Sequence, residues 1–201
     1  KIIGSLPPLV ASYQKTIGLD KNVALESYKK IVDIQENHVD VFLCETVCSI
    51  EEALISTEVA LQTQKPVWLS FSVDEDDGTL VRSGEKLSVA LKEFDNSKVD
   101  AILVNCSSIE SIQQSVDIMK SYSKPFGALA NGFETIKPLT PGNDVSVLKK
   151  RDDFNETKFV DSVVLNINNG ASIVGGCCEV SPKYISAVHK KYINLNYTIT
   201  N

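Results

Sequence analysis

The chain has 201 residues, of which 43% are hydrophobic and 23% charged, a composition typical of one globular domain with a sizeable core. Its formal net charge is -6, and the 26 acidic and 20 basic residues are spread along the chain, which argues against a nucleic-acid or anionic-membrane partner. No apolar run approaches the ~20 residues that cross a bilayer, and no signal-peptide pattern opens the chain, so we expect no membrane association.

Short apolar segments alternate with segments of helical periodicity along the chain. The predicted strands are, in order, 1–5, 39–46, 66–72, 99–106, 125–130 and 171–175. The predicted helices are 22–35, 49–62, 85–94, 108–122, 155–168 and 182–192. Ser49, followed by Glu51 and Glu52, is typical of a helix cap with acids in the first turn. Such an alternation predicts parallel strands buried on both faces, and no linker divides the chain, so we predict one α/β domain over 1–201.

Other segments carry weaker signals. The acidic run 74–77 is typical of a solvated loop, with recruitment of a cationic molecule as the alternative. The stretch 131–153 is the longest irregular one, and a loop of this length in a compact domain is more often functional than accidental. Trp68 and Phe71 lie on a predicted buried strand and are expected in the core, whereas His38 and His189 lack ligand spacing and are expected on the surface.

Two adjacent cysteines, Cys177 and Cys178, stand where the last strand becomes the last helix, directly after Gly175 and Gly176. Neighbouring cysteines close a strained disulfide, so two thiolates on one soft metal ion is the easier interpretation. Buried inert thiols and a phosphate-binding turn are the alternatives. The chain has five cysteines, an odd number, which indicates reduced thiols in a cytoplasm-like compartment.

Polar and reactive residues gather at the predicted carboxyl ends of the strands: Ser5, Glu45, Ser72, Cys106, Asn131, Cys177 and Cys178. Parallel strands in a barrel or open sheet bring these ends to one face, which makes Cys106 the expected third ligand of a metal site. Three thiolates with one open position are typical of a zinc site that does chemistry. Cys44 and Cys48 are better explained as small buried residues.

Four segments together resemble the homocysteine S-methyltransferase family: 3–8, 42–46, 104–106 and 175–178. The resemblance covers nearly the whole chain and implies a (β/α)8 barrel of the TIM type with a catalytic Zn2+ on Cys106, Cys177 and Cys178. It implies that Glu45 binds the amino group of homocysteine, although Glu45 could instead pair with a cation at the barrel rim. It further implies substrate contacts for Asn105 and a supporting role for Asn131.

The resemblance implies methyl transfer to the homocysteine thiol, giving methionine, from a small-molecule donor that the sequence does not identify. The chain matches about six βα units, strands 3–8 of the barrel, and lacks the family's opening Asp-Gly motif. We therefore expect roughly 100 residues to precede Lys1. The alternative function is an incomplete or inactive thiol- or metal-binding barrel remnant that needs this upstream segment. The oligomeric state stays open, and a homo-oligomer is compatible with the sequence.

Overall fold

A computed structural model describes residues 1–194 of the chain. Its strands are β1 (Ile3–Leu6), β2 (Val41–Val47), β3 (Val67–Phe71), β4 (Ala101–Asn105), β5 (Phe126–Ala130) and β6 (Ile173–Gly176). Its α-helices are α1 (Lys21–Gln35), α2 (Ile50–Ala60), α3 (Leu87–Phe94), α4 (Ile109–Met119), α5 (Glu156–Asn168) and α6 (Pro182–Asn194). Short 3-10 turns cover Glu36–His38 and Val145–Val147.

The strands form one parallel sheet in which spatial order follows chain order from β1 to β6. A doubly wound sheet would reverse direction at a switch point, whereas an unbroken order belongs to the wall of a barrel. The sheet is accordingly a curled half-barrel, and the prediction of parallel strands alternating with helices is confirmed. No helix among residues 1–194 is long and apolar enough to span a membrane.

The outer face of the sheet packs against the helices and carries the main core. Alternate strand residues such as Phe42, Leu69 and Ile102 are fully buried in this core. The intervening residues, which include Trp68 and Leu103, point to the inner, concave face, because successive side chains on a strand alternate. Trp68 is only partly buried there, so its predicted core position is wrong, whereas Phe71 is fully buried in the outer core as expected.

The two edge strands are less covered than the centre of the sheet. Every residue of β4 is buried, whereas every residue of β6 is only partly buried. At the other edge, the Ile3 side chain of β1 is 46% exposed. Within residues 1–194, β1 and β6 each pair with one neighbour, so the half-barrel has two open parallel edges.

Local signals place the helix starts close to their predicted positions. Ser49 caps α2, its hydroxyl accepting a hydrogen bond from the Glu52 backbone N–H at 3.1 Å. Ser108 caps α4 and Asn155 caps α5 in the same way. The main boundary differences are in the strands. β3 and β4 end one residue before Ser72 and Cys106, which were predicted at their ends, whereas β1 and β2 run past Ser5 and Glu45.

Candidate metal centre

Cys106 follows β4 in a left-handed backbone conformation, with a φ of 50°. Its backbone N–H still donates to the Leu129 carbonyl at 3.0 Å, so the residue keeps the hydrogen-bond ladder with β5 while it turns out of the strand. The side chain is 3% exposed. This turn directs a buried thiol toward the carboxyl end of the half-barrel.

Cys177 and Cys178 form the turn between β6 and α6. The Cys177 N–H donates to the Ala130 carbonyl at 2.8 Å, and the Cys178 carbonyl accepts from the Gly132 N–H at 3.1 Å. The turn closes with a bond from the Val180 N–H to the Cys177 carbonyl at 3.2 Å. Both thiols are partly buried and are fixed against the end of β5.

The three thiols converge. The Sγ atom of Cys106 lies 2.6 Å from that of Cys177 and 3.5 Å from that of Cys178, and the Cys177 and Cys178 sulfurs are 4.0 Å apart. A tetrahedral zinc ion with Zn–S bonds of about 2.3 Å separates its sulfurs by about 3.8 Å, close to two of these distances. Three soft donors with no carboxylate among them suit a thiophilic ion, so the cluster fits zinc.

The thiols also share protons unequally. Hydrogen bonds from Cys177 and Cys178 hold the pKa of the Cys106 thiol well below its usual range despite its burial. The pKa of Cys177 is raised because it donates to Cys106, and the same interaction raises the pKa of Cys178 to about 11. Cys106 is therefore the thiol of the three that loses its proton most readily, and metal binding requires deprotonated thiols.

Glu45 lies near the carboxyl end of β2 on the concave face of the sheet, and its side chain is partly buried. Ser5 of β1 donates a hydrogen bond from its hydroxyl to the Glu45 carboxylate. The backbone of Ser5 accepts a further bond from the Gln35 amide at 3.2 Å. Glu45 is thus held on the same face and at the same end of the sheet as the thiols.

Asn105, the last residue of β4, is 1% exposed and connects three strands. Its Oδ1 accepts from the Thr46 N–H at 2.9 Å and from the Ser70 hydroxyl at 2.8 Å, and its Nδ2 donates to the Thr46 hydroxyl at 2.9 Å. Nδ2 also lies 4.0 Å from the Cys177 sulfur. Asn105 therefore fixes the segment after Glu45 and touches the thiol cluster.

Asn131 is 3% exposed and lies one residue beyond β5. Its backbone N–H donates to the Ser107 carbonyl at 3.0 Å, and its Oδ1 accepts from the Phe133 N–H at 3.4 Å. It is adjacent in sequence to Gly132, which bonds the Cys178 carbonyl. The structure thus brings Asn131 to the rim of the cluster through its backbone neighbours.

Two residues at the cluster were missed by sequence reasoning, Tyr13 and Arg82. The Tyr13 hydroxyl donates to the Cys106 sulfur at 3.1 Å, and the Arg82 guanidinium lies 4.8 Å above the Tyr13 ring. Tyr13 sits in the irregular β1–α1 connection, where no periodicity marks it. Arg82 lies between two apolar residues and a Ser-Gly turn, and arginine is mostly exposed, so the sequence gives no signal for its burial either.

Beside these two residues lies a cavity of about 150 Å³, lined by Tyr13, Lys15, Asp74, Glu75, Arg82, Ile136 and Lys137. Glu75 accepts hydrogen bonds from the Thr135 hydroxyl at 2.9 Å and the Ile136 N–H at 2.6 Å. Asp76 and Asp77 are exposed, as expected for a solvated loop, but Glu75 fastens this loop to the segment after β5. The cavity is thus walled by three connections at the carboxyl end of the sheet, those that follow β1, β3 and β5.

The fold and the site define an α/β half-barrel with a three-thiol cluster at the carboxyl ends of its strands. Residues 1–192 match the family described as Homocysteine S-methyltransferase, and the chain belongs to this family.

The chain is 26% identical over 202 residues to Homocysteine S-methyltransferase 2 of Arabidopsis thaliana, covering 96% of this chain and 59% of the relative. It is 31% identical over 171 residues to Homocysteine S-methyltransferase 1 of Saccharomyces cerevisiae, covering 77% of this chain and 48% of the relative. The chain thus spans about half the length of the curated relatives that it matches.

A solved structure agrees on the fold. The apo form of the homocysteine methyltransferase MmuM of Escherichia coli superposes with a TM-score of 0.71 at 18% identity, covering 94% of this chain and 62% of that one. At this identity the likeness defines the partial barrel fold.

Proposed function

We propose that this chain carries the zinc-binding part of an enzyme that transfers a methyl group to the thiol of homocysteine, giving methionine. The observation that carries the proposal is the convergence of Cys106, Cys177 and Cys178 in a member of the homocysteine S-methyltransferase family. Zn2+ held by three thiolates with one open position would lower the pKa of a substrate thiol and keep it as a nucleophile. The reactants are small molecules, and the free cysteines suit a reducing compartment such as the cytoplasm.

In this proposal the chain's own residues orient the acceptor. Glu45 binds the ammonium group of homocysteine, while Ser5 holds the carboxylate in place. Asn105 fixes the Glu45–Thr46 segment and supplies an N–H beside Cys177. Asn131 supports the turn that carries Cys178. The substrate sulfur then attacks the methyl carbon of an activated donor. The bond between the methyl carbon and the donor breaks, and the demethylated donor leaves with the electron pair of that bond. Holding both reactants in line contributes much of the rate.

Metal analysis tests the ligand assignment. The chain, purified under reducing conditions, is expected to hold about one zinc per molecule, and Cys177→Ser is expected to lose it, because serine is a poor ligand for a thiophilic ion. Cys48→Ser is the matched control: Cys48 donates to the Thr46 carbonyl at 3.2 Å, a bond that a serine hydroxyl can keep. Unchanged zinc content in Cys177→Ser would refute the metal centre.

Activity is tested by supplying homocysteine together with betaine, S-methylmethionine or a methylfolate and measuring methionine. Selenocysteine is added as a second acceptor, because a Brassica oleracea relative named Selenocysteine Se-methyltransferase is 28% identical over 171 residues. Methionine formation that requires the zinc-loaded chain supports the proposal. Zinc-independent methionine formation, or none from any donor even after the barrel is completed, contradicts it.

A second candidate function follows from the open edges of the sheet. If the chain corresponds to strands 3–8 of an eight-stranded barrel, it carries the metal site and is inactive until two further βα units close the barrel. The partly buried Trp68 on the concave face, the chain's single tryptophan, is a reporter. This function predicts that the chain alone binds zinc but does not turn over. Addition of the first two βα units of a relative should then restore turnover and shift the Trp68 emission to the blue. Full activity of the isolated chain would exclude it.

A further inference from the structure

Arg82 is a buried cation that has no carboxylate partner in the described part of the chain. Its side chain is 7% exposed, and within residues 1–194 no acidic oxygen lies within 4.0 Å of the guanidinium. Asp74 and Glu75 line the same cavity, but Glu75 is already bonded to the segment after β5. Burying a guanidinium is costly unless negative charge lies nearby. A negative charge at the nearby thiol cluster would offset this cost.

The contacts of Arg82 run toward that cluster. Its Nε donates to the Ser72 hydroxyl at 2.7 Å, and its terminal nitrogen lies 3.5 Å from the Cys106 carbonyl. The guanidinium also covers the Tyr13 ring at 4.8 Å, within the range of a cation–π contact. Arg82 therefore fixes the backbone of one candidate ligand and the ring of the residue that touches its sulfur.

Tyr13 is fixed at two points. Its ring lies under Arg82, and its hydroxyl donates to the Cys106 sulfur at 3.1 Å. The residue also has a φ of 66°, a conformation that a non-glycine residue adopts at an energetic cost. A phenol held in this way has little freedom to turn from the sulfur.

We propose that Tyr13 is a positioning residue that donates a hydrogen bond to the Cys106 thiolate of the zinc centre, and that Arg82 holds it there and offsets the negative charge. This inference rests on the proposed function. Three thiolates on Zn2+ leave a net charge near -1, and a bound homocysteine thiolate brings it near -2. A charge-assisted hydrogen bond and a nearby cation both reduce that excess where the substrate sulfur binds.

We expect loss of the Tyr13 hydrogen bond to weaken the binding of both the metal ion and the substrate sulfur. Outer groups that bond to metal ligands fix their orientation, and their loss typically costs 10–100-fold in metal affinity. Loss of the donor also raises the energy of the Cys106 sulfur lone pairs. This change shifts ligand-to-metal charge transfer to longer wavelength, whereas a purely structural role of Tyr13 does not.

The test compares Tyr13→Phe with Tyr122→Phe in the full chain. Tyr122 is a matched control, because it follows α4 at the opposite end of the sheet from the thiols. Its hydroxyl has no hydrogen-bond partner among residues 1–194. We expect the zinc dissociation constant of Tyr13→Phe, measured by competition with a chromogenic chelator, to rise about tenfold. In the Co2+-substituted protein, we expect its thiolate charge-transfer band to move to longer wavelength. Tyr122→Phe should change neither quantity.

Two variants, Arg82→Lys and Arg82→Met, separate the effect of the positive charge of Arg82 from the effect of its contact with the Tyr13 ring. Lysine keeps the charge but cannot stack its planar group on the ring, so we expect Arg82→Lys to restore only part of the affinity lost in Arg82→Met. If the wild-type chain binds neither Zn2+ nor Co2+, the proposed function fails and this inference with it. If the wild type binds both and Tyr13→Phe matches it in affinity and spectrum, the inference alone is overturned.

Discussion

Several non-glycine residues at or near the three thiols have a left-handed backbone conformation. Tyr13, Thr46, Cys106 and Glu179 all have φ between 50° and 66°. Each such residue costs roughly 1–2 kcal/mol relative to ordinary backbone, so the surrounding hydrogen bonds must hold it. At Thr46, both the backbone N–H and the hydroxyl bond to Asn105. Strain therefore concentrates where the side chains of different strands must converge.

A single arginine fastens the long loop after β5 close to these residues. Arg151 contacts both carboxylate oxygens of Glu110, at 2.6 and 2.9 Å, and its backbone N–H donates to the Gly132 carbonyl at 2.9 Å. Gly132 in turn bonds the Cys178 carbonyl. Arg151 thus connects α4 to the segment that supports the second cysteine of the pair.

This ion pair predicts a pH-dependent contribution to stability. The hydrogen bond from Arg151 lowers the pKa of Glu110 from 4.5 to about 2. Because the folded-state pKa lies below the unfolded one, the contribution is complete above pH 4.5 and disappears as the pH falls through about 2. The Glu110 side chain is 54% exposed, so we expect Glu110→Gln to lower the free energy of unfolding by only about 0.5–1 kcal/mol at pH 7.

Urea unfolding at pH 7 and pH 3 measures this contribution. The difference between wild type and Glu110→Gln should shrink to about half at pH 3. Glu93→Gln, at an exposed position on α3, is the control and should have little effect at either pH. A Glu110→Gln deficit that is constant with pH would show that the carboxylate charge is not responsible.

At the scale of elements, the β6–α6 connection depends on close packing at one glycine. A Cβ atom added at Gly176 would lie 2.3 Å from Cγ1 and 2.4 Å from Cβ of Val180, so one of the two segments must move. At Gly175 an added Cβ would meet only the far end of the Leu129 side chain, at 3.0 Å. The second glycine is therefore required by packing, while the first has room nearby.

We expect Gly176→Ala to displace the cysteine turn, because Val180 closes that turn through its bond to the Cys177 carbonyl. Overpacking should cost about 1–3 kcal/mol in unfolding free energy. The zinc dissociation constant should rise by at least tenfold, since the ligands are no longer preoriented. Chelator competition and urea unfolding measure the two effects. Gly175→Ala is the adjacent control, and equal losses in both variants would contradict the packing argument.

For the molecule as a whole, the order of parallel strands and the convergence of Cys106 with Cys177 were predictable. Apolar strands alternating with helices determine the topology, and the topology brings strand ends together. The direction of Trp68 was not predictable, because apolar residues occur on both faces of β3 and the sequence does not say which face the helices cover. Tyr13 was not predictable either, since its contact with Cys106 depends on the path of an irregular loop over 93 residues of separation.

The proposed metal would join distant parts of the chain, and this predicts a large effect on global stability. Cys106 and Cys177 are 71 residues apart, so an unfolded chain rarely presents the three thiols together. An ion that binds only the folded chain stabilises it by about 4 kcal/mol at a thousandfold excess over its dissociation constant. At ~2–4 °C per kcal/mol for a chain of this size, zinc should raise Tm by roughly 10 °C.

Differential scanning fluorimetry in the presence of zinc, and again after removal of zinc by a chelator, measures this shift. Cys177→Ser should show little dependence on zinc, because two thiolates hold the ion weakly, whereas Cys48→Ser should respond like the wild type. Mg2+, which prefers oxygen ligands, should not stabilise any of the three proteins. An equal zinc shift in Cys177→Ser would mean that the ion binds elsewhere. Zinc bound to the wild type without any shift would mean that the thiols do not bridge β4 and β6 in the folded chain.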